Sequence, residues 1–265
     1  MKNKKILVLI LVNTVTLGFM LFVNYASNAG VFGSVTVGNI SHKYDTLFAP
    51  AGYAFAIWGV IFLLLIAFVI FQWTSLNNTY RHEYVQNTGV WFFISNLANA
   101  LWIYCWINEE IGWSVAVILM LLCCLVILTY KLRLELDDKP ASVIFFVWWP
   151  MVVYLGWIMV ATIACIAAWL VSIGWNGGPF TPQTWTIVMI IITTLLYIYL
   201  IKTRNLREAA GVGIWAFVAI AKRQWNANFN IALVALVCAL ALFIAIAIHG
   251  YVNRKYNIIN KLKEA

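Results

Sequence analysis

Charge is the first thing that this sequence lacks. Only 10% of the residues are Asp, Glu, Lys or Arg, against about 25% in ordinary soluble domains. None of the nine acidic residues falls within the core of a long apolar run. Carboxylates inside a membrane mark proton relays and ion pathways. Their absence from the apolar runs disfavours a proton pump or an ion-coupled transporter.

Catalytic signatures are lacking as well. The three histidines, His42, His82 and His249, lie far apart, and there is no H-E-x-x-H, no glycine-rich phosphate loop and no G-x-S-x-G. We therefore expect no catalytic residue, no metal site and no resident cofactor. His249 is more typical of a side chain at the end of a helix than of a haem ligand. An enzyme acting on a membrane-soluble substrate is the less favoured alternative.

Long apolar runs dominate what is present. The chain is 64% hydrophobic, and a run of about 20 apolar residues is long enough to cross a bilayer as a helix. Barrel strands would alternate apolar and polar residues, which these runs do not. The sequence predicts an all-α, polytopic transmembrane bundle of about eight helices, the seventh being short for a span. The runs are 6–25, 53–73, 90–107, 111–130, 143–171, 184–201, 209–221 and 228–252.

Basic residues predict the orientation of these helices. With eight spans and both termini cytoplasmic, all seventeen Lys and Arg except Lys43, Lys222 and Arg223 fall on the inner side, as the positive-inside rule requires. The first run is too long for a cleaved signal segment, so we expect it to be retained. The pattern favours an inner or plasma membrane. Since the positive charge lies at the ends of apolar runs, we expect no nucleic-acid partner.

Aromatic residues are abundant, with fourteen tryptophans among them. Tryptophans at the ends of spans are typical of the interfacial belt. Trp58, Trp102 and Trp157 lie several residues inside their runs, where a buried indole N–H needs an acceptor. Asn96 and Asn99 could supply one, because Asn99 and Trp102 are three residues apart on one helix face. The same amides could equally join helices or face a ligand.

The fifth run mixes aromatic and small residues. Trp157 and Ala161 are four residues apart and share a face. Small residues allow helices to approach closely, and they can also leave room for a flat ligand beside a ring. The small residues are Gly156, Ala161, Ala164, Ala167 and Ala168.

Three of these stretches resemble the TspO/MBR family, the tryptophan-rich sensory proteins related to translocator protein and the peripheral benzodiazepine receptor. The second run follows a proline and carries aromatics, at Pro50, Tyr53, Phe55, Trp58 and Phe62. The third contains "ANALW", with Asn99 and Trp102, and the fifth contains "VYLGWIMVA", with Tyr154, Leu155, Trp157 and Ala161. The chain departs from the family pattern at Ala51 and Val153, where the family has prolines, and in a Phe55–Trp58 spacing one residue shorter.

The resemblance divides the chain. It implies a TspO-like five-helix bundle over residues 1–172, whereas residues 173–265 form a C-terminal extension of about three transmembrane helices. It also implies a pocket between the first, second and fifth helices, capped by the loop after the first. The ligand-binding residues that the resemblance and the residue pattern indicate are Pro50, Tyr53, Phe55, Trp58, Asn99, Trp102, Tyr154, Trp157 and Ala161.

The resemblance further implies the class of ligand. TspO-like proteins bind porphyrins, haem intermediates, sterol-like molecules or other flat lipophiles, and act in transport, sensing or tetrapyrrole breakdown. We therefore expect an integral membrane receptor or carrier whose partners are a lipophilic small molecule and membrane lipids, with a homodimer as a further implied state. Porphyrin or haem would be a ligand, not a cofactor. The alternative is a transporter or permease for a small neutral solute.

Overall fold

The computed structural model describes residues 2–33 and 35–253, and the described chain is helical almost throughout. A 3₁₀ helix, Gly52–Ala56, leads into α3, and a π-helical turn, Ile144–Trp148, joins α7 to α8. The helices are α1 Lys2–Asn28, α2 Val37–Lys43, α3 Ile57–Thr74, α4 His82–Thr88, α5 Trp91–Ile107, α6 Ile111–Lys131, α7 Ala141–Val143, α8 Trp149–Ser172, α9 Pro182–Arg204, α10 Arg207–Gln224 and α11 Phe229–Val252.

These helices match the predicted runs to within a few residues, and they make the chain a multi-pass integral membrane protein. Among the residues that the structure describes, six helical segments are long and apolar enough to cross a membrane, and the bent pair Thr79–Thr88 and Trp91–Ile107 makes a seventh if it is one span. The helices bend by 46° there, around Gly89 at φ 52°. The remaining run, the seventh, is α10, whose two ends each carry two charged residues, which lowers its hydropathy.

The ends of α10 show that it runs from one end of the bundle to the other. Its first turn follows Asn205, whose Nδ2 donates to the carbonyl oxygen of Glu135 at 2.8 Å. In its last turn, Arg223 pairs with Asp45. These partners lie in loops that the charge pattern assigns to opposite sides. The short seventh run therefore has the direction expected of a crossing helix.

Loops predicted on the same side do gather at the same end of the bundle. At one end, Lys43 pairs with Glu109, and one groove is lined by both Thr46 and Trp175. At the other, one cavity is lined by residues near positions 137, 205 and 249. Which end faces the cytoplasm stays a prediction. Four of the basic residues used for it, Arg254, Lys255, Lys261 and Lys263, lie outside the described residues.

The break before α8 has a local cause. Pro150 has no N–H to donate, so an uninterrupted α-helix from residue 141 would lose a hydrogen bond. The π-helical turn lies directly before it, over Ile144–Trp148, as expected where a helix absorbs such a defect. α8 then continues to Ser172 and presents its long buried face to the rest of the bundle.

The later helices share one apolar core with the earlier ones. A single cluster of buried residues includes Trp157 on α8, Tyr197 on α9 and Phe217 on α10. The Tyr197 hydroxyl donates to the carbonyl oxygen of Gly156 at 2.7 Å, and a Cβ on Gly213 would lie only 2.4 Å from the Tyr197 ring. α8, α9 and α10 therefore meet at two glycines around one buried tyrosine.

The contact between α8 and α10 generates a test. A Cβ on Gly156 would lie 2.9 Å from both the Cα and the carbonyl oxygen of Ala209, and the backbone of α10 cannot yield as a side chain can. We expect Gly156→Ala to lower the free energy of unfolding by about 1–3 kcal/mol through overpacking. The matched control is Gly59→Ala on α3, where nothing lies within 4 Å of a Cβ. Thermal unfolding in detergent should separate the two variants, and equal midpoints would contradict the close approach.

Candidate ligand-binding site

Two adjoining chambers lie beneath α2. The large chamber has a volume of about 480 Å³ and is bounded by α1, α2, residues 50–55, α3, α5 and Arg223 of α10. The small chamber, about 50 Å³, extends from it between α5 and α8. Both are lined by Pro50, Phe55, Trp58 and Trp102. We call the two together the aromatic cavity, and its volume falls in the range of small-molecule sites.

Edge-to-face contacts hold the aromatic rings of this cavity. The centroid of Trp157 lies 5.9 Å from that of Phe55 and 6.4 Å from that of Trp58, with interplanar angles of 82° in both pairs. Trp58 also meets Tyr154 edge-on at 6.0 Å. Such pairs add about 0.5–1.5 kcal/mol each beyond the burial of area. Trp157, at 2% exposure, faces the interior rather than the lipid.

Six of the nine predicted site residues line the aromatic cavity. They are Pro50, Phe55, Trp58, Trp102, Trp157 and Ala161. Tyr53 lies against the Trp215 ring instead, with centroids 5.3 Å apart, and it is 44% exposed. Asn99 and Tyr154 lie behind the wall, in contact with each other. A direct ligand contact by these three residues stays a prediction.

Buried amides form a chain across three helices. Asn24 Nδ2 on α1 donates to Asn99 Oδ1 on α5 at 2.8 Å, and Asn99 Nδ2 donates to the Tyr154 hydroxyl on α8 at 3.0 Å. The expectation that Asn99 or Asn96 accepts from Trp102 is wrong, because Trp102 Nε1 bonds to neither. Asn99 Oδ1 accepts from Asn24 on α1. Asn96 Nδ2 donates to Thr16 Oγ1 at 3.3 Å, and Asn96 Oδ1 has no partner among the described residues. Helical spacing put the two side chains on one face but could not show which helix packs there.

Two tryptophans of the small chamber retain unpaired N–H groups. The Nε1 atoms of Trp102 and Trp157 are buried without a hydrogen bond of normal geometry among the described residues, and Trp102 has within reach only the Cys165 sulfur, a weak acceptor. An unsatisfied buried donor costs about 1–3 kcal/mol. Groups of this kind are exceptions in native proteins. Of the three described tryptophans that have one, Trp102, Trp148 and Trp157, two line this chamber.

The small residues of α8 serve both of the roles that the sequence left open. Gly156 packs against α10. Ala161, Ala164 and Ala168 line the small chamber, and Ala167 faces the groove toward α9. Because α8 turns one face to α10 and another to the cavity, one helix can pack closely and still leave space beside the rings.

The long loop after α1 contains the helix that covers the cavity. Thr36 caps α2, with its hydroxyl accepting from Asn39 N and the Asn39 side chain accepting from Thr36 N. The indole N–H of Trp106 on α5 donates to the carbonyl oxygen of Val37 at 3.1 Å. Sequence reasoning placed a covering loop here but missed this helix, although a threonine followed three residues later by an asparagine is a capping signal.

An ion pair fixes the far end of α2. Glu109 accepts hydrogen bonds from Lys43 and from the Tyr44 hydroxyl. The hydrogen bond from Lys43 lowers the pKa of Glu109 below its ordinary value, and that same bond raises the pKa of Lys43. The interaction is therefore complete at neutral pH. It is lost as the pH falls through the lowered carboxyl pKa or rises through the raised amine pKa.

Segment 45–56 is held by α10. Ala51 N donates to Ala219 O at 3.1 Å, Trp215 Nε1 to Ala54 O at 3.0 Å and Gln224 Nε2 to Leu47 O at 3.0 Å. Arg223 adds its ion pair with Asp45 and a bond to Ala49 O. Sequence reasoning assigned no role to α10. The one signal in the sequence was the position of Arg223. It is a basic residue on the predicted outer side, where the positive-inside rule expects few Lys and Arg.

The amide chain predicts a stability effect. Tyr154→Phe removes the acceptor of Asn99 Nδ2 and leaves a buried donor unpaired. We expect the free energy of unfolding to fall by about 1 kcal/mol, the scale of interhelical hydrogen bonds in membranes. Tyr104→Phe, on the exposed face of α5, is the control and should change nothing. Denaturation in detergent measures the free energy of unfolding of both variants. An unchanged value in Tyr154→Phe would show that the hydrogen bond between Asn99 and Tyr154 adds no stability.

The ion pair at Glu109 predicts how α2 moves with pH. In Glu109→Gln, amide hydrogen exchange over residues 37–43 should rise several-fold, because Lys43 and Tyr44 lose a charged acceptor. Wild-type exchange, corrected for its intrinsic pH dependence, should rise only as the pH falls through the Glu109 pKa, which the hydrogen bond from Lys43 lowers below the ordinary value of a glutamate carboxyl. Glu110→Gln changes the same charge one residue away and should leave α2 protected. If residues 37–43 were equally protected from exchange in both variants, Glu109 would not be what holds the end of α2.

Comparison with known proteins agrees with this architecture. Residues 9–248 match the family described as TSPO-like protein. The matched range continues past residue 172 and takes in α9, α10 and most of α11, while the predicted division of the chain at that residue stays a prediction. Searches of curated proteins and of solved structures found no match. Because the family match covers most of the chain, this membrane protein belongs to the TSPO-like family.

Proposed function

We propose that this protein is a membrane receptor or carrier that binds a flat lipophilic molecule, a porphyrin or haem intermediate being the prime candidate, in the aromatic cavity. The ligand would lie among the rings of Phe55, Trp58 and Trp157, with α2 above it. The homodimer that the resemblance implies and the two cytoplasmic termini in an inner or plasma membrane belong to the same proposal.

One observation carries this proposal. Trp58, which lines the chamber of about 480 Å³, meets Trp157 edge to face at a centroid distance of 6.4 Å. Sites for small molecules are mostly apolar and aromatic, with a few placed polar groups. Offset and edge-on ring contacts favour a flat partner, and the unpaired N–H group of Trp157 favours one that also carries acceptors.

Substitution of the rings, followed by titration with a porphyrin, tests the proposal. We expect Trp58→Phe combined with Trp157→Phe to weaken protoporphyrin IX binding about tenfold, because both indoles lose contact area and ring pairing. The Soret absorbance of the ligand is the readout, since it does not depend on the number of tryptophans left in the protein.

The control replaces two tryptophans away from the cavity. Trp113 and Trp225 are both exposed, so Trp113→Phe with Trp225→Phe makes the same chemical change outside the site. Its affinity should equal that of the wild type. An unchanged affinity in the Trp58 and Trp157 double variant would take the rings out of the binding site.

A further inference from the structure

We propose that the ligand is an acidic amphiphile, whose carboxylate is held by Arg223 while its flat apolar body lies among the aromatic rings. This rests on the proposed function and specifies the ligand class of the same cavity. Arg223 comes from α10, and the sequence pattern that indicated the site contains no charged residue.

The lining of the large chamber is chemically divided. Phe55, Trp58 and Phe62 form an apolar side, and His42, Ser41 and Arg223 contribute polar groups near α2. Among the described residues that line the two chambers, none is Asp or Glu. The wall therefore disfavours a cationic ligand, which would meet the Arg223 guanidinium and no carboxylate. It also disfavours a pure hydrocarbon, which would leave the polar side of the chamber without hydrogen-bond partners.

Arg223 is oriented and still has donors to spare. Its Nη2 pairs with Asp45, and its Nη1 donates to Ala49 O at 3.2 Å. A guanidinium has five N–H donors in a rigid fork suited to carboxylates, so two bonds leave three donors. The side chain is only 21% exposed, whereas that of Asp45 is 63% exposed and lines the groove toward α9, not the chamber. Solvent screens the existing pair at that open side.

The rings and Arg223 are close enough for one ligand to contact both. Trp58 and Phe55 line the same chamber as Arg223, so one molecule can contact the rings and the guanidinium together. The charge-assisted bond would add to the ring contacts and would set the direction in which the ligand lies. Arg223 is thus a specificity-determining residue for acids over neutral analogues.

A ligand pair isolates the carboxylate. Protoporphyrin IX and its dimethyl ester share one ring system and differ in charge. The readout is the ratio of the ester Kd to the diacid Kd, measured by Soret titration of the full chain in detergent. Partition of each ligand into the micelle is the same for every variant, so it cancels when ratios are compared between variants.

Three variants bracket the expected result. We expect Arg223→Gln to lower the ratio about tenfold, with ester affinity nearly retained. Lys222→Gln removes the same charge from the exposed neighbour, which does not line the chamber, and should keep the wild-type ratio. Asp45→Asn removes the competing carboxylate and should raise the ratio about threefold. An Arg223→Gln ratio equal to that of the wild type would overturn the assignment.

Two outcomes separate this inference from the proposed function. If the wild type bound neither porphyrin, the proposed function itself would fail. If the wild type bound both porphyrins and Arg223→Gln had the same ratio of ester Kd to diacid Kd as the wild type, only the carboxylate contact would fail. Should Arg223→Gln bind neither ligand, a salt series on the wild type decides, because screening should weaken the diacid and spare the ester. A diacid affinity that is independent of salt overturns the contact.

Discussion

The aromatic cavity depends on the hold that α10 has on segment 45–56. This segment links α2 to α3 and carries the turn at Pro50, so its position decides whether the Phe55 and Trp58 rings reach α8. Its backbone N–H at Ala51 and carbonyl groups at Leu47 and Ala54 all find partners on α10. Unpaired backbone groups are costly wherever water is excluded, so an irregular segment that is partly buried needs such a neighbour. The last helices therefore take part in building the site.

Packing around α8 provides the space. Gly156 brings α10 close on one face, while alanines on another face leave a recess beside Trp157. The amide chain from Asn24 through Asn99 to Tyr154 joins α1, α5 and α8 at the level of the rings. The amide chain and the small residues of α8 hold the helix backbones in place. The aromatic rings therefore do not have to fill the space between the helices, and a chamber can remain open beside close helix contacts.

Much of the fold followed from the sequence. Continuous apolar runs predicted every long helix, and charge at their ends predicted which loops share an end of the bundle. The family resemblance implied a pocket between the first, second and fifth helices, and the rings of Trp58 and Trp157 meet between the second and the fifth. Tyr53 was predicted to line the same pocket, and its ring lies against that of Trp215 on α10. No periodicity within a single run contains the information that α10 packs there.

The sequence by itself determined which segments enter a membrane as helices, because hydropathy and backbone hydrogen bonding are local properties of each run. It also determined that the span interiors offer rings and amides in place of charge. Only the tertiary structure decided which helix meets which, and so that Asn99 bonds to α1 and α8, not to Trp102. It alone placed Arg223 in the chamber wall, more than 150 residues from Phe55 and Trp58 in the chain, because contacts between distant helices depend on the packing of all of them.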